Sequence, residues 1–177
     1  MLDLAVAYNR YRFLGDEFLT WLWFLIENDQ NTFRTIDSDC TAVEIGNRIV
    51  LENRKRKSLE RISIRGDDAG LEEGRLALKK GALLSELSLV VKTGEYQWEF
   101  SLKGESLNLS SLRTPGPSLP PSPEEMELFF LDKSERINKI TNFVEIAFKM
   151  FVRIRVTSRW PNKIVPNIKK WINSIEV

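Results

Sequence analysis

Phe13-Leu-Gly-Asp-Glu-Phe-Leu-Thr-Trp-Leu-Trp-Phe-Leu-Ile-Glu27 decides how the rest of the chain is read. Three Phe, two Trp, four Leu and one Ile fall within these fifteen residues. Tyr11, Leu14, Phe18, Trp21 or Leu22, and Leu25 follow the helical period, while Trp23, Phe24 and Ile26 widen the apolar arc beyond a single stripe. A helix of that width is buried on two sides. Its apolar core, Phe18 to Ile26, is nine residues long and broken only by Thr20, far short of the ~20 residues that span a bilayer. The spacing predicts a core or interface helix over roughly residues 6 to 28. One sheet face is too narrow to cover the whole arc, so part of Trp21, Trp23 or Phe24 is expected at a subunit contact.

Alternating patterns follow the break at Asn28-Asp-Gln-Asn31. Val43 and Ile45, then Gly46-Asn47, then Ile49 and Leu51 read as two short strands joined by a two-residue type II′ turn. Leu59, Ile62 and Ile64 give a third strand, ended by Gly66-Asp-Asp68. Leu71, Leu76 and Leu78, set among Glu72, Glu73, Arg75, Lys79 and Lys80, read as a short helix or a charged loop. Leu87, Leu89 and Val91 lead across Thr93-Gly94 to Glu95–Lys103, where Tyr96, Trp98, Phe100 and Leu102 alternate with polar residues. That strand has one core face and one wet face. Leu107 and Leu109 follow after Gly104, which completes an antiparallel meander. Five of the seven prolines fall in Arg113–Pro123, a stretch that can be neither helix nor central strand. Ser122 and Pro123 then match an N-cap and first helical position ahead of Glu124, Glu125 and Glu127. A long helix with Ile137, Ile140, Val144, Phe151 and Ile154 on its apolar stripe runs to about residue 157. A last short helix spans roughly Asn162 to Ser174. The expected fold class is α+β: a mostly antiparallel sheet covered by the aromatic N-terminal helix, with a Pro-rich connector and C-terminal helices. The expected units are a core over 1–113, a connector over 114–123, and a helical segment over 124–177 packed on the core.

Composition narrows the chemistry. A chain of 177 residues, 42% hydrophobic and 29% charged, has the balance of a soluble globular domain rather than a disordered or membrane-embedded one. The opening Met-Leu-Asp-Leu puts no basic segment ahead of an apolar run, so a cytoplasmic location is expected. The single cysteine, Cys40, cannot close an internal disulfide and reads as an inert small residue near a turn. Histidine is absent. Ser-His-Asp and Cys-His nucleophile pairs and an ordinary zinc site are thereby excluded. Asp37-Ser-Asp39 offers two hard oxygens to magnesium but reads more readily as an Asx turn. Gly66, Gly70 and Gly74 lack the Lys-Ser/Thr that completes a phosphate-cradling loop. No cofactor or metal is expected, and no enzymatic activity.

The net charge of +1 hides an asymmetry. From Lys139 onward there are eight Lys or Arg against Glu145 and Glu176. A second cluster, Arg54, Lys55, Arg56 and Lys57, sits between two predicted strands. Such patches serve phosphate backbones, or else offset helix dipoles and guard sheet edges. The candidate nucleic-acid residues are therefore Arg54 to Lys57 with Arg153, Arg155, Arg159, Lys163, Lys169 and Lys170, and Arg54 to Lys57, Arg153, Arg155 and Arg159 are expected to be exposed.

Phe13-Leu-Gly-Asp-Glu-Phe-Leu-Thr-Trp-Leu-Trp23 resembles the F-L-G-x-E-F-L-x-W-L-W segment in the C-terminal part of recombination-associated proteins of the RdgC type. Similar features follow it: a hairpin like Ile45–Glu52, a W-x-F-x-L-K-G strand like Trp98–Gly104, a Ser-Ser-Leu step like Ser110–Leu112, and a closing helix. The resemblance covers most of the chain. It implies a bacterial, nucleoid-associated protein that binds duplex DNA with little sequence preference as a homodimer. The leading expectation is thus a non-enzymatic DNA-associated protein. Two others stand beside it: a protein–protein scaffold that uses the same aromatic surface, and a magnesium-dependent nuclease.

Overall fold

The computed structural model describes residues 4–53, 60–65, 68–120 and 122–175, with side chains from Tyr11 onward in the first helix and from Leu71 onward in the third. The aromatic segment forms α1 (Leu4–Asn28), and α2 (Asn31–Ile36) follows after a short break. Then come β1 (Ala42–Asn53), β2 (Glu60–Arg65), α3 (Asp68–Lys79), β3 (Leu83–Thr93), β4 (Tyr96–Lys103) and β5 (Leu109–Arg113). The Pro-rich connector leads into a 3-10 turn at Pro123–Glu125 and the long α4 (Met126–Arg155). A π-turn at Trp160–Ile164 runs directly into α5 (Val165–Asn173). All five strands belong to one antiparallel sheet, in the order β2-β1-β3-β4-β5, which curls into a half-barrel. The fold is α+β.

Register assigns the two faces of the sheet. Leu87↔Leu102, Leu89↔Phe100 and Val91↔Trp98 pair on one side of β3 and β4, and Val43↔Val91 extends that layer into β1. These residues are buried under the helices. Phe18 meets Phe148 edge-on at 5.1 Å and Phe151 at 5.5 Å, and Phe151 meets Trp160 at 5.3 Å. The helices α4 and α5 therefore supply the second cover that the width of α1 demands. Trp21 and Trp23 are 2% and 0% exposed within the single chain, and Phe24 is half-buried against Trp171 at 5.8 Å. Of the three residues expected at a subunit contact, the two indoles have almost no area left to offer a second copy, and only Phe24 keeps some.

The Gly46-Asn47 turn is also corrected. β1 is one continuous strand, and both of its halves pair with β3. Between Ile45↔Leu89 and Ile49↔Leu87, the residues Gly46, Asn47 and Arg48 face the single Ser88. This is a bulge, and Gly46 does not take the positive φ that a type II′ turn requires. Glycine is needed there for another reason: a Cβ would lie 2.9 Å from the Ser88 Cβ. The charged stretch around Leu71–Lys80 resolves as α3 rather than a loop, with Gly74 pressed against the Trp23 ring. The β3–β4 turn is as expected, with φ +57 at Gly94. Ser122 precedes the 3-10 turn with no side-chain cap hydrogen bond. Leu59 and Gly66–Asp67 lie outside the described residues.

Candidate nucleic-acid interface and the uncovered sheet face

The basic C-terminal elements are held in place by one carboxylate. Trp23 Nε1 and Trp171 Nε1 donate to Glu27 Oε1 and Oε2 at 2.6 and 2.7 Å. Arg75 stands 3.4 Å from the same carboxylate and 5.1 Å above the Trp171 ring. Its guanidinium also donates to the Trp171 carbonyl at 2.6 Å and to Ser174 Oγ at 2.7 Å. Charge-assisted bonds of this kind fix orientation, so α1, α3 and α5 are set in register by Glu27. Nothing in the periodicity marks Glu27, because a polar residue at the end of an apolar run reads as an ordinary helix terminus.

From Ile146 to Ile175 the chain has seven Lys or Arg and no acidic residue. Ile164, Ile168 and Trp171 turn inward, which leaves Lys163, Lys169 and Lys170 exposed around the outer side of α5 and the turn before it. Arg153 and Arg159 are exposed at the end of α4 and just past it. None of these five cations has an ion-pair partner among the described residues. Arg155 departs from expectation. It donates to Glu17 Oε2 at 2.6 Å, lies 5.9 Å from the Phe13 ring and 5.5 Å from that of Trp160, and is only one-third exposed. It fastens α4 to α1, and its charge is answered by Glu17. Arg54, Lys55, Arg56 and Lys57 lie outside the described residues.

The other two sequence candidates are structural. Asp39 N donates to Asp37 Oδ1 at 3.0 Å, which makes Asp37-Ser-Asp39 an Asx turn, and Lys139 of α4 reaches Asp37 at 3.5 Å. The Cys40 thiol is buried, and burial, then the neighbouring Asp37 charge, push its pKa up from the ordinary value. A thiol held in its neutral form is a poor nucleophile. Among the described residues no three Asp, Glu or Cys side chains converge on a metal position, and no helix is long and apolar enough to cross a membrane.

Sequence reading passed over the sheet face opposite the main helical layer, which α1 reaches at one end, where Arg12 and Asp16 lie beside Glu52 and Glu86. Register places Arg61, Ser63 and Arg65 of β2, Arg48, Val50 and Glu52 of β1, Glu86 and Ser88 of β3, Glu99 and Ser101 of β4, and Arg113 of β5 on this side. The curl of the sheet shelters its middle: Glu86, Ser88 and Ser101 are 4%, 5% and 7% exposed. The two serine hydroxyls are hydrogen-bonded to one another at 2.7 Å. Glu86 is approached by Arg48 at 3.3 Å and Arg61 at 3.6 Å, Glu52 by Arg12 at 2.8 Å, and Glu99 by Arg113 at 3.5 Å. Beside these pairs Arg48, Arg65, Ser88, Glu99, Ser101 and Arg113 line a trough of about 820 Å³, whose lining also includes Ile45, Leu89 and Phe100. Its signal in the sequence was the even alternation of Glu86, Ser88 and Ser101 with core residues, which read as an ordinary wet face.

Comparison with protein-family models, curated proteins and solved structures finds no match to this chain.

Proposed function

We propose that this chain is a non-enzymatic, sequence-independent DNA-associated protein of the kind its resemblance to RdgC proteins implies, working as a homodimer at the nucleoid in the cytoplasm. The observation that carries the reading is the acid-free stretch from Ile146 to Ile175, with Arg153, Arg159, Lys163, Lys169 and Lys170 exposed and unpaired. A single-sign surface held on rigid helices attracts a polyanion and releases its counterions. It reads no base sequence, because it offers point charges to phosphates and nothing to base edges. Arg54 to Lys57 are proposed to supply further phosphate contacts.

The test is a mobility-shift titration on duplex DNA at several salt concentrations. Five phosphate contacts give log K a slope of about −4.5 against log salt, and each Lys or Arg changed to Ala lowers the slope by ~0.9. Arg153→Ala and Lys170→Ala should weaken binding on all sequences alike. A salt-independent complex, or undiminished affinity in the fivefold alanine variant, would remove the DNA reading. A scaffold function is the second reading, and one observation favours it: Leu128, Phe130 and Leu131 at the start of α4 are 70%, 58% and 57% exposed. Retained self-association or protein capture with no DNA shift at low salt would promote it.

A further inference from the structure

The trough on the polar sheet face is built differently from the basic tail. Two strand irregularities border it. On one side the β1 bulge drives Gly46 against Ser88 and sets Arg48 at the wall. On the other, Ser111 and Leu112 of β5 face only Phe100 of β4, between the pairs Glu99↔Arg113 and Ser101↔Ser110. Ser111 takes φ 53 there, a left-handed conformation that costs a serine about 1 kcal/mol. Bulges and left-handed non-glycine residues gather where a side chain must be re-aimed, and both occur here on the rim of one cleft.

Charge on the rim is incompletely matched. Arg48 and Arg65 occupy directly opposed positions on β1 and β2 and line the same wall. Like charges at opposed positions in an antiparallel pair are unfavourable. Glu86 answers Arg48 through one contact at 3.3 Å, while Arg48 Nε is shielded from solvent and finds no acceptor. Arg65 is exposed and has no ion-pair partner among the described residues. Across the trough stand Asn47, the Ser88–Ser101 pair and the Arg113–Glu99 pair. A volume of this order suits a small ligand.

We propose that this trough binds a phosphate ester of a small hydroxyl-bearing molecule, with the phosphate between Arg48 and Arg65 and the polar body over Ser88 and Ser101. Two guanidinium groups carry two positive charges, of which a single carboxylate neutralises one, whereas a phosphate monoester offers three terminal oxygens and a second negative charge. The anion relieves the Arg48–Arg65 repulsion, and the hydroxyls of the body find Ser, Asn and Glu partners. The site is separate from the cations of α4 and α5 and does not depend on their reading.

Backbone amide chemical shifts recorded during titrations with inorganic phosphate and with ribose 5-phosphate test this proposal. Saturable shifts at Arg48, Arg65 and Ser88 are expected, with ribose 5-phosphate the tighter of the two probes. Arg65→Ala should weaken binding roughly tenfold to a hundredfold, yet melt at or above the wild-type temperature, because it removes a repulsion and breaks no pair. Its affinity for duplex DNA should be unchanged. Unaltered ribose 5-phosphate affinity in Arg65→Ala would overturn the proposal. So would the absence of saturation at millimolar probe, or shifts confined to α4 and α5. A lowered melting temperature in Arg65→Ala would assign that arginine to the fold and overturn it equally.

Discussion

At the scale of single residues, Glu27 carries more of the tertiary structure than any other charged group described. Both of its oxygens accept an indole N–H, and Arg75 neutralises it from the third side. Glu27→Ala leaves two buried indole donors and a guanidinium without their acceptor, a loss of about 2 to 4 kcal/mol. Urea unfolding should show that decrease. Arg75→Ala should cost less, since both indole bonds survive it. Arg155 and Arg153 illustrate the limit of reading charge from sequence. They are two residues apart on one helix, and only the fold reveals that Arg155 is spent on Glu17 while Arg153 is free. A linear charge count weighs them equally.

At the scale of elements, α1 approaches the sheet through glycines. A Cβ on Gly15 would overlap the Gly104 carbonyl at the start of the β4–β5 turn. Helix propensity alone predicts that Gly15→Ala stabilises α1 by ~1 kcal/mol. Contact predicts the opposite, a loss of about 1 to 3 kcal/mol as α1 is levered off the turn. The sign of the change in denaturation midpoint, at unchanged m-value, decides between them. The elements themselves were largely legible. Period-two alternation in Tyr96–Lys103 and the breadth of the aromatic arc specified the sheet, its covered face and α1. Pairing was less so: Gly46-Asn47 satisfies both a tight turn and a bulge locally, and only the length of β3, which reaches both halves of β1, selects the bulge. The trough was invisible for a related reason. Arg48 and Arg65 face each other only through the β1–β2 register, which the charged stretch between the strands hides, and Arg113 joins them from β5 at the far edge of the sheet.

At the scale of the molecule, α4 is covered along only part of its length. Its first buried residue is Ile140, whereas Met126, Leu128, Phe130 and Leu131 are exposed near its start. The ten residues from Met126 to Glu135 extend about 15 Å of helix beyond Arg136, whose carbonyl accepts the Trp98 indole N–H at 3.0 Å. A two-fold contact between the starts of two α4 helices would bury these side chains and leave the basic end free. Sedimentation of the wild type should show a dimer at about 100 µM protein, a concentration that detects contacts of micromolar affinity. The triple variant Leu128→Glu, Phe130→Glu, Leu131→Glu should be monomeric with an unchanged melting temperature. A wild-type monomer under these conditions would remove the dimer, and a dimer that survives the triple variant would place its contact elsewhere. The bond between Glu27 and Trp171 has a further consequence, because its partners are 144 residues apart. At a synthesis rate of roughly 5 to 20 residues per second, about 7 to 30 s pass between translation of the first and the second. For that interval the nascent chain presents Phe18, Trp21 and Trp23 without their cover. During translation this protein is a candidate client for holdase chaperones at the ribosome, and a ribosome stalled before codon 171 leaves a greasy, protease-sensitive fragment.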